Sequence, residues 1–430
     1  MAINPKEKRS LLSSQARIQV PWIKVTIGDY TFGVYDKVTR QNIKTSQGVY
    51  TGTIVQYPEY IQQLSVKKIN GQVNKYTLTL SYPVTDKDDP NFIDKVLSSV
   101  SATREIIFSY GDTAMPNYIY KNEKAIITAV QQSFNLAGSI INYTIQATSG
   151  AALGTSSCLT FPADGKKHKP STLIKNLWRN KSYGLQDIFT GMNEKNLNKL
   201  IPGDDEAVKL STKVNISVLD YITYLVSCMM PSGSNLKNNL TNDLYILTIH
   251  DDTAYEKNYY DSDITGPYFK ISKTSHLSEH SDAYVIDVGY NTANIVTNFS
   301  VEKNENYSIF YDYQKSLNSK LYTRRINEDG QWEDIFTPTS TTGNNFETDI
   351  EDRVWWTKIT KFPIGASITI QGLLRPAILM TYVRLNVVFP GGHKHISSGL
   401  YIVTAQEDEL SGSGFRTKLS LVKISGDNND

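Results

Sequence analysis

Residues 125–150 lie over residues 401–426 without a single gap, and this self-similarity implies a fold that builds one unit twice. Thr128 meets Thr404, Ala129 meets Ala405, Phe134 meets Leu410 and Gly138 meets Gly414. Tyr143 and Ile145 fall on Leu419 and Leu421, and Ser149-Gly150 falls on Ser425-Gly426. Each copy reads as a strand, a polar turn with glycine, and a second strand of alternating apolar and polar residues. Any two hairpins share part of that pattern. What makes these two a repeat is their placement, because each closes a β-rich stretch of similar grammar.

The stretch before the first copy reads as follows. Residues 17–27 form a strand that Pro21 puts at an edge or a bend. Residues 35–52 form a long polar loop or hairpin. Residues 65–81 form two strands around an Asn70-Gly71 turn, a pair suited to the positive φ of a tight hairpin. Residues 76–82 alternate with period two, and Pro83 stops them. Asp86, Asp88, Asp89 and Pro90 mark a helix start, with Phe92, Val96, Leu97 and Val100 on one face of a helix over 91–102. Ile106, Phe108 and Tyr110 resume the strand pattern.

Residues 150–235 differ. Leu173, Ile174, Leu177 and Trp178 make one amphipathic helix, and Val218, Leu219, Ile222, Leu225 and Val226 make another, with loop between. Strand patterning returns at 245–249, 284–288, 367–372, 383–389, 399–406 and 415–424, while 326–350 reads as a surface loop. The fold class is mainly β (α+β): two antiparallel β-barrel domains, 1–150 and 241–430, joined by a part-helical connector, 151–240. The second carries an inserted loop region around 300–360.

Composition narrows the function classes. The net charge is +1, so no broad polyanion-binding surface is expected. Tyrosine is frequent, 27 copies against 14 phenylalanines, which suits half-buried strands and interfaces. Cys158 and Cys228 stand far apart, so neither a disulfide framework nor a Cys-x-x-Cys metal site is expected, and Cys228 beside Met229 and Met230 reads as a buried thiol. The start is charged and lacks the apolar run of a secretory signal, and no segment reaches the length of a membrane span.

Candidate chemistry is sparse. His276 and His280 have helical metal-ligand spacing, but Leu277 stands where a zincin needs Glu. His393 and His395 follow Pro390-Gly391-Gly392 and read as a turn, with too few ligands for zinc. Asp86, Asp88 and Asp89 lack the Gly and closing Glu of a calcium loop. Asp251, Asp252, Asp261 and Asp263 have the residue types of a glycosidase pair but read as solvated loop acids. There is no phosphate cradle and no nucleophile elbow, so no catalytic residue, cofactor or metal is assigned.

The last hairpin, Ser398 to Thr404 and Gly414 to Leu421, resembles the closing segment of baseplate-hub or tail-tip hub proteins of long-tailed phages, contractile-tailed ones above all, and of phage-like injection systems. The strand 76–82, helix 91–102, strand 106–110 and hairpin also resemble a tail-tube fold. The resemblance implies two tube-like barrels per chain and a homotrimer forming a pseudo-sixfold ring. It places a tail tube or distal tail protein above, a central spike below and other baseplate proteins around. Phage DNA would pass only in transit through the lumen, with no membrane insertion by the chain itself. It implies a place in the virion tail baseplate, assembled in the host cytoplasm. In tube-like folds the loop over 35–52 reaches a neighbour, so Tyr35, Lys37, Arg40, Lys44 and Tyr50 are expected at a subunit interface. The alternatives are a host-surface or glycan-binding tail module, for which Trp355-Trp356 is the one adjacent tryptophan pair, and a carbohydrate-active enzyme using the acids at 251–263.

Overall fold

The computed structural model describes residues 21–33, 43–45, 48–50, 60–99, 105–112, 120–135, 137, 139–155, 158–203, 205–229, 245–250, 264–273, 284–289, 296–303, 321–326, 332–337, 364–370, 379–380, 382–411 and 414–426. β1 (Pro21–Ile27) and β2 (Tyr30–Gly33) form a hairpin, with Pro21 at the first strand position, where proline is tolerated. β3 (Ile43–Thr45) and β4 (Gly48–Tyr50) form a short ribbon within the segment read as loop or hairpin. β5 (Ile61–Ile69) and β6 (Lys75–Pro83) turn at Asn70-Gly71, where Gly71 has φ of 72°. In β6 the alternation holds: Tyr76, Leu78, Leu80 and Tyr82 are buried. α1 (Phe92–Ser99) lays Ile93 and Val96 on the same core, and β7 (Glu105–Asp112), β8 (Tyr120–Asn135) and β9 (Ile140–Ser149) complete it.

The middle of the chain contains β10 (Leu159–Phe161), β11 (Lys167–His168), α2 (Pro170–Arg179), α3 (Leu185–Ile188), α4 (Leu197–Leu200), β12 (Val208–Lys209), β13 (Lys213–Ile216) and α5 (Val218–Cys228). α2 and α5 lie where the periodicity puts them, and Ile174, Trp178, Leu219, Ile222 and Leu225 share one core. The Ser217 hydroxyl caps α5 by accepting from the Asp220 N–H at 3.0 Å. The stretch between them, expected as loop, holds the single-turn α3 and α4, which bury Leu185, Leu197 and Leu200. One turn is too short to leave a periodic signal, which is why the pattern missed them. β14 (Tyr245–His250) and β15 (Tyr268–Lys273) pack Leu247 and Phe269 into this same core.

The last third holds β16 (Tyr284–Gly289), β17 (Val296–Lys303), β18 (Leu321–Ile326), β19 (Trp332–Thr337), β20 (Ile364–Ile370), β21 (Tyr382–Val388), β22 (Gly399–Ser411) and β23 (Gly414–Gly426). β18 pairs with β19, so the segment over 326–350, expected as loop, contains a strand; Trp332, Ile335 and Phe336 give it the apolar residues a strand needs. Most strands join one sheet of thirteen, in the order β17-β20-β23-β22-β5-β6-β9-β8-β7-β1-β2, with β21 on β22 and β16 on β21. The pairings are antiparallel except β16 with β21. Among the described residues the sheet is open, with β2 at one end of that path and β17 at the other.

The repeat extends from one hairpin to the whole strand order. The first half reads β5-β6-β9-β8-β7-β1 and the second β17-β20-β23-β22-β21-β16. Position by position these are the same strands in the same chain order; only the last departs, since β1 is antiparallel to its neighbour and β16 parallel. Two pairs of β-bulges fall at matching places. β8 bulges at Thr128 and β22 at Thr404, and each threonine hydroxyl donates to the opposite strand, to the Gln146 carbonyl at 3.2 Å and the Ser420 carbonyl at 3.1 Å. β5 bulges at Gln62 and β17 at Thr297. The structure corrects one detail of the self-alignment. Residues 136–139 join β8 to β9, but only residues 412–413 join β22 to β23. The first strands therefore match without a gap, while the second strands match two residues earlier, with Gln146 on Ser420 and Ile145 on Leu419. A gapless alignment tolerates that slip because two residues restore the same face of a strand. Gly138, aligned with Gly414, lies outside the described residues.

Candidate assembly site

β22 is long enough to serve both halves, and the Thr404 bulge divides it. Before the bulge, residues 399–402 pair with β21; beyond it, residues 405–411 pair with β5. A bulge increases twist and re-aims the strand, which is what a strand leaving one unit for another requires. The Thr404 carbonyl accepts from the Asn70 N–H at 2.9 Å, so the turn after β5 clasps the bulge. The β22–β23 tip then enters the first half of the molecule: Leu410 stands opposite Leu64, both are fully buried, and Phe415 joins the same core.

The sheet buries a polar network at this junction. Lys68 Nζ lies 2.8 Å from Glu123 Oε1, with side chains 6% and 1% exposed. The Tyr76 hydroxyl donates to Glu123 Oε2 at 2.7 Å, and Lys68 Nζ sits 4.4 Å from the centre of the Tyr120 ring. Gln406 Nε2 donates to the Tyr120 hydroxyl at 3.0 Å and to Asp408 Oδ2 at 2.7 Å, while the Thr417 hydroxyl donates to Asp408 Oδ1 at 2.7 Å. β5, β8, β22 and β23 each contribute. Groups so buried are costly unless paired, and here each charge has a partner, so the network favours this docking over slipped ones.

Burial pushes the Asp408 carboxyl up to about 6, against the Thr417 and Gln406 hydrogen bonds and the Lys68 charge, which pull it down; Glu123 adds to the rise. The folded chain thus holds this proton more tightly than the unfolded chain. Stability from Asp408 is fullest below about pH 4 and is lost as pH rises towards about 6, beyond which it is level. At about 1.4 kcal/mol per pH unit, the two plateaus differ by on the order of 3 kcal/mol. Asp408→Asn is expected to remove this component. Unfolding free energies near pH 4 and near pH 7 for parent and variant measure it, and an equal pH dependence in both would refute the assignment.

The residues singled out from sequence fall elsewhere. Tyr35, Lys37 and Arg40 lie outside the described residues, and Lys44 and Tyr50 sit on β3 and β4. His276, His280, the acids at 251–263 and Trp355-Trp356 also lie outside them. His393 and His395 are exposed at a turn, with His395 Nδ1 2.7 Å from the Ser397 hydroxyl. Asp88 accepts from the Thr85 N–H at 2.9 Å, and Asp89 meets Lys95 Nζ at 2.5 Å. Among the described residues no three His, Cys, Asp or Glu side chains gather as metal ligands. The pattern reading missed Lys68, Glu123, Gln406 and Asp408. The available signal was polarity at core parity, since Gln406 and Asp408 precede Leu410 on the inward face of β22.

No family model matches the chain, and no curated protein matches its sequence. Solved structures resemble it in outline. The tail protein from Neisseria meningitidis MC58 is 10% identical, with 94% of this chain and 96% of that one covered at a TM-score of 0.45. The 43 kDa tail protein of prophage MuSo2 from Shewanella oneidensis is 8% identical, with 94% and 99% covered at 0.45. A component of the E. coli type VI secretion system, described as structurally similar to T4 bacteriophage tail proteins, is 7% identical, with 86% and 75% covered at 0.43.

Proposed function

We propose that the chain is a non-enzymatic structural subunit of a phage-type tail, a baseplate hub built as a ring. The observation that carries this reading is the doubled strand order joined by one long hairpin: a chain that holds two like units side by side supplies two neighbouring places of a ring. Two tube-like barrels, over 1–150 and 241–430, flank the connector over 151–240. Three chains give six alternating units around a lumen. A tail tube or distal tail protein lies above, a central spike below and other baseplate proteins around, and DNA crosses the lumen in transit. The segment bearing Tyr35, Lys37, Arg40, Lys44 and Tyr50 reaches a neighbouring subunit. The site of action is the virion tail baseplate, after assembly in the host cytoplasm. Native mass measurement is expected to show multiples of three, and particle images a ring with a lumen. A twofold assembly, or particles with no lumen, would rule the hub out.

A further inference from the structure

The intrachain junction joins two strand edges, that of residues 405–411 in β22 and that of β5. The repeat supplies each edge a second time. Residues 129–135 of β8 stand where 405–411 stand in β22, beyond the matching threonine bulge. β17 stands where β5 stands, with the Thr297 bulge matching that at Gln62. Among the described residues, β17 pairs only with β20, and residues 130–134 pair only with β9.

In the occupied junction the inward positions of β22 are Gln406, Asp408 and Leu410, all buried. Their counterparts in β8 are Val130, Gln132 and Phe134. Phe134 is 61% exposed and Val130 38%, and on β17 Val301 is 38% exposed. Open edges carrying apolar side chains are what proteins cover by strand pairing. Each edge finds the complement of its intrachain counterpart on the same chain, so a second copy of this chain is the partner that fits both.

We propose that β8 of one copy takes β17 of a second copy as its outer neighbour, antiparallel, in the register of the β22–β5 pairing. Carried through the repeat, that register sets Phe134 opposite Phe299, Ser133 opposite Ser300, Gln132 opposite Val301 and Gln131 opposite Glu302. Phe134 and Phe299 take the places of Leu410 and Leu64. The contact is head-to-tail, since each copy offers one edge of each kind, and such contacts propagate into a ring or a filament. The pairing deepens the ring reading by naming its edges, and it rests on that reading only for closure.

Paired cysteines test the register. With Cys158→Ser removing the exposed native thiol, Gln131→Cys combined with Glu302→Cys is expected to give a ladder of disulfide-linked oligomers on mild oxidation. Gln131→Cys combined with Asn298→Cys, four residues out of register, is expected to give none. Phe134→Asp, at an exposed position, should keep the circular dichroism spectrum and weaken self-association at least about tenfold, while Phe134→Leu retains it. Equal ladders from both cysteine pairs, or none from the in-register pair, overturn the register; rings that still form then leave the hub reading standing. Phe134→Asp that associates like the parent overturns the use of this edge. A chain that stays monomeric at every concentration overturns the pairing and the ring together.

Discussion

Replacing Lys68 with Met is expected to cost about 3–5 kcal/mol of stability, because it leaves the Glu123 carboxylate in a buried site without its cation. The pair is 6% and 1% exposed, so water does not take the place of the lost partner. The Tyr76 hydroxyl still donates to Glu123, but one neutral hydrogen bond does not offset the loss of a full charge at 2.8 Å. Adding Glu123→Gln should recover most of the loss, since the amide oxygen can accept from Tyr76 and no charge remains. Chemical denaturation of the parent, the single variant and the double variant measures this. A single-variant cost below about 1 kcal/mol, the range of an exposed pair, would show that the junction is wetter than the structure has it.

Phe415→Ala is expected to destabilise the first half of the molecule although residue 415 belongs to the last hairpin. Phe415 is 3% exposed in the core that contains Leu64, Leu78, Phe108 and Tyr143. Truncating a buried phenylalanine costs about 3–5 kcal/mol through lost burial and the cavity left behind. The effect should appear where the side chain packs, as faster hydrogen exchange of the β5 and β6 amides, with the α2–α5 core less affected. Unchanged protection of β5 would mean that the β22–β23 tip is an appendage rather than part of that core.

Much of the fold is legible as alternation. The inward parity of Tyr76, Leu78, Leu80 and Tyr82 reads off the chain because β6 has one apolar and one polar face. α2 and α5 are legible for the same reason at the helical period. α3 and α4 are not, since four residues carry no period, and β19 hides among the turn-forming residues that surround it. The self-similarity located both hairpins, and the matching bulges at Thr128 and Thr404 show it to be physical. Its two-residue slip in the second strand was invisible because strand faces repeat every two residues.

The candidate site is another matter. A pattern read along the chain treats Lys68, Glu123 and Asp408 as ordinary surface charges, because nothing local distinguishes a solvated polar residue from one whose partner sits on another strand, 55 positions away for Lys68 and Glu123. The sequence by itself determined the longer alternating strands and the two amphipathic helices, the doubling of one unit and the position of its closing hairpins, since these follow from local periodicity and from side chains matched at a fixed spacing. Only the tertiary structure decided that β22 leaves β21 for β5 at Thr404, that Asp408 is thereby buried beside Lys68 and Glu123, and that, among the described residues, β17 pairs only with β20 and residues 130–134 of β8 only with β9. Strand partners are chosen by long-range backbone pairing, and a backbone hydrogen bond carries no record of the side chains on the strand it joins.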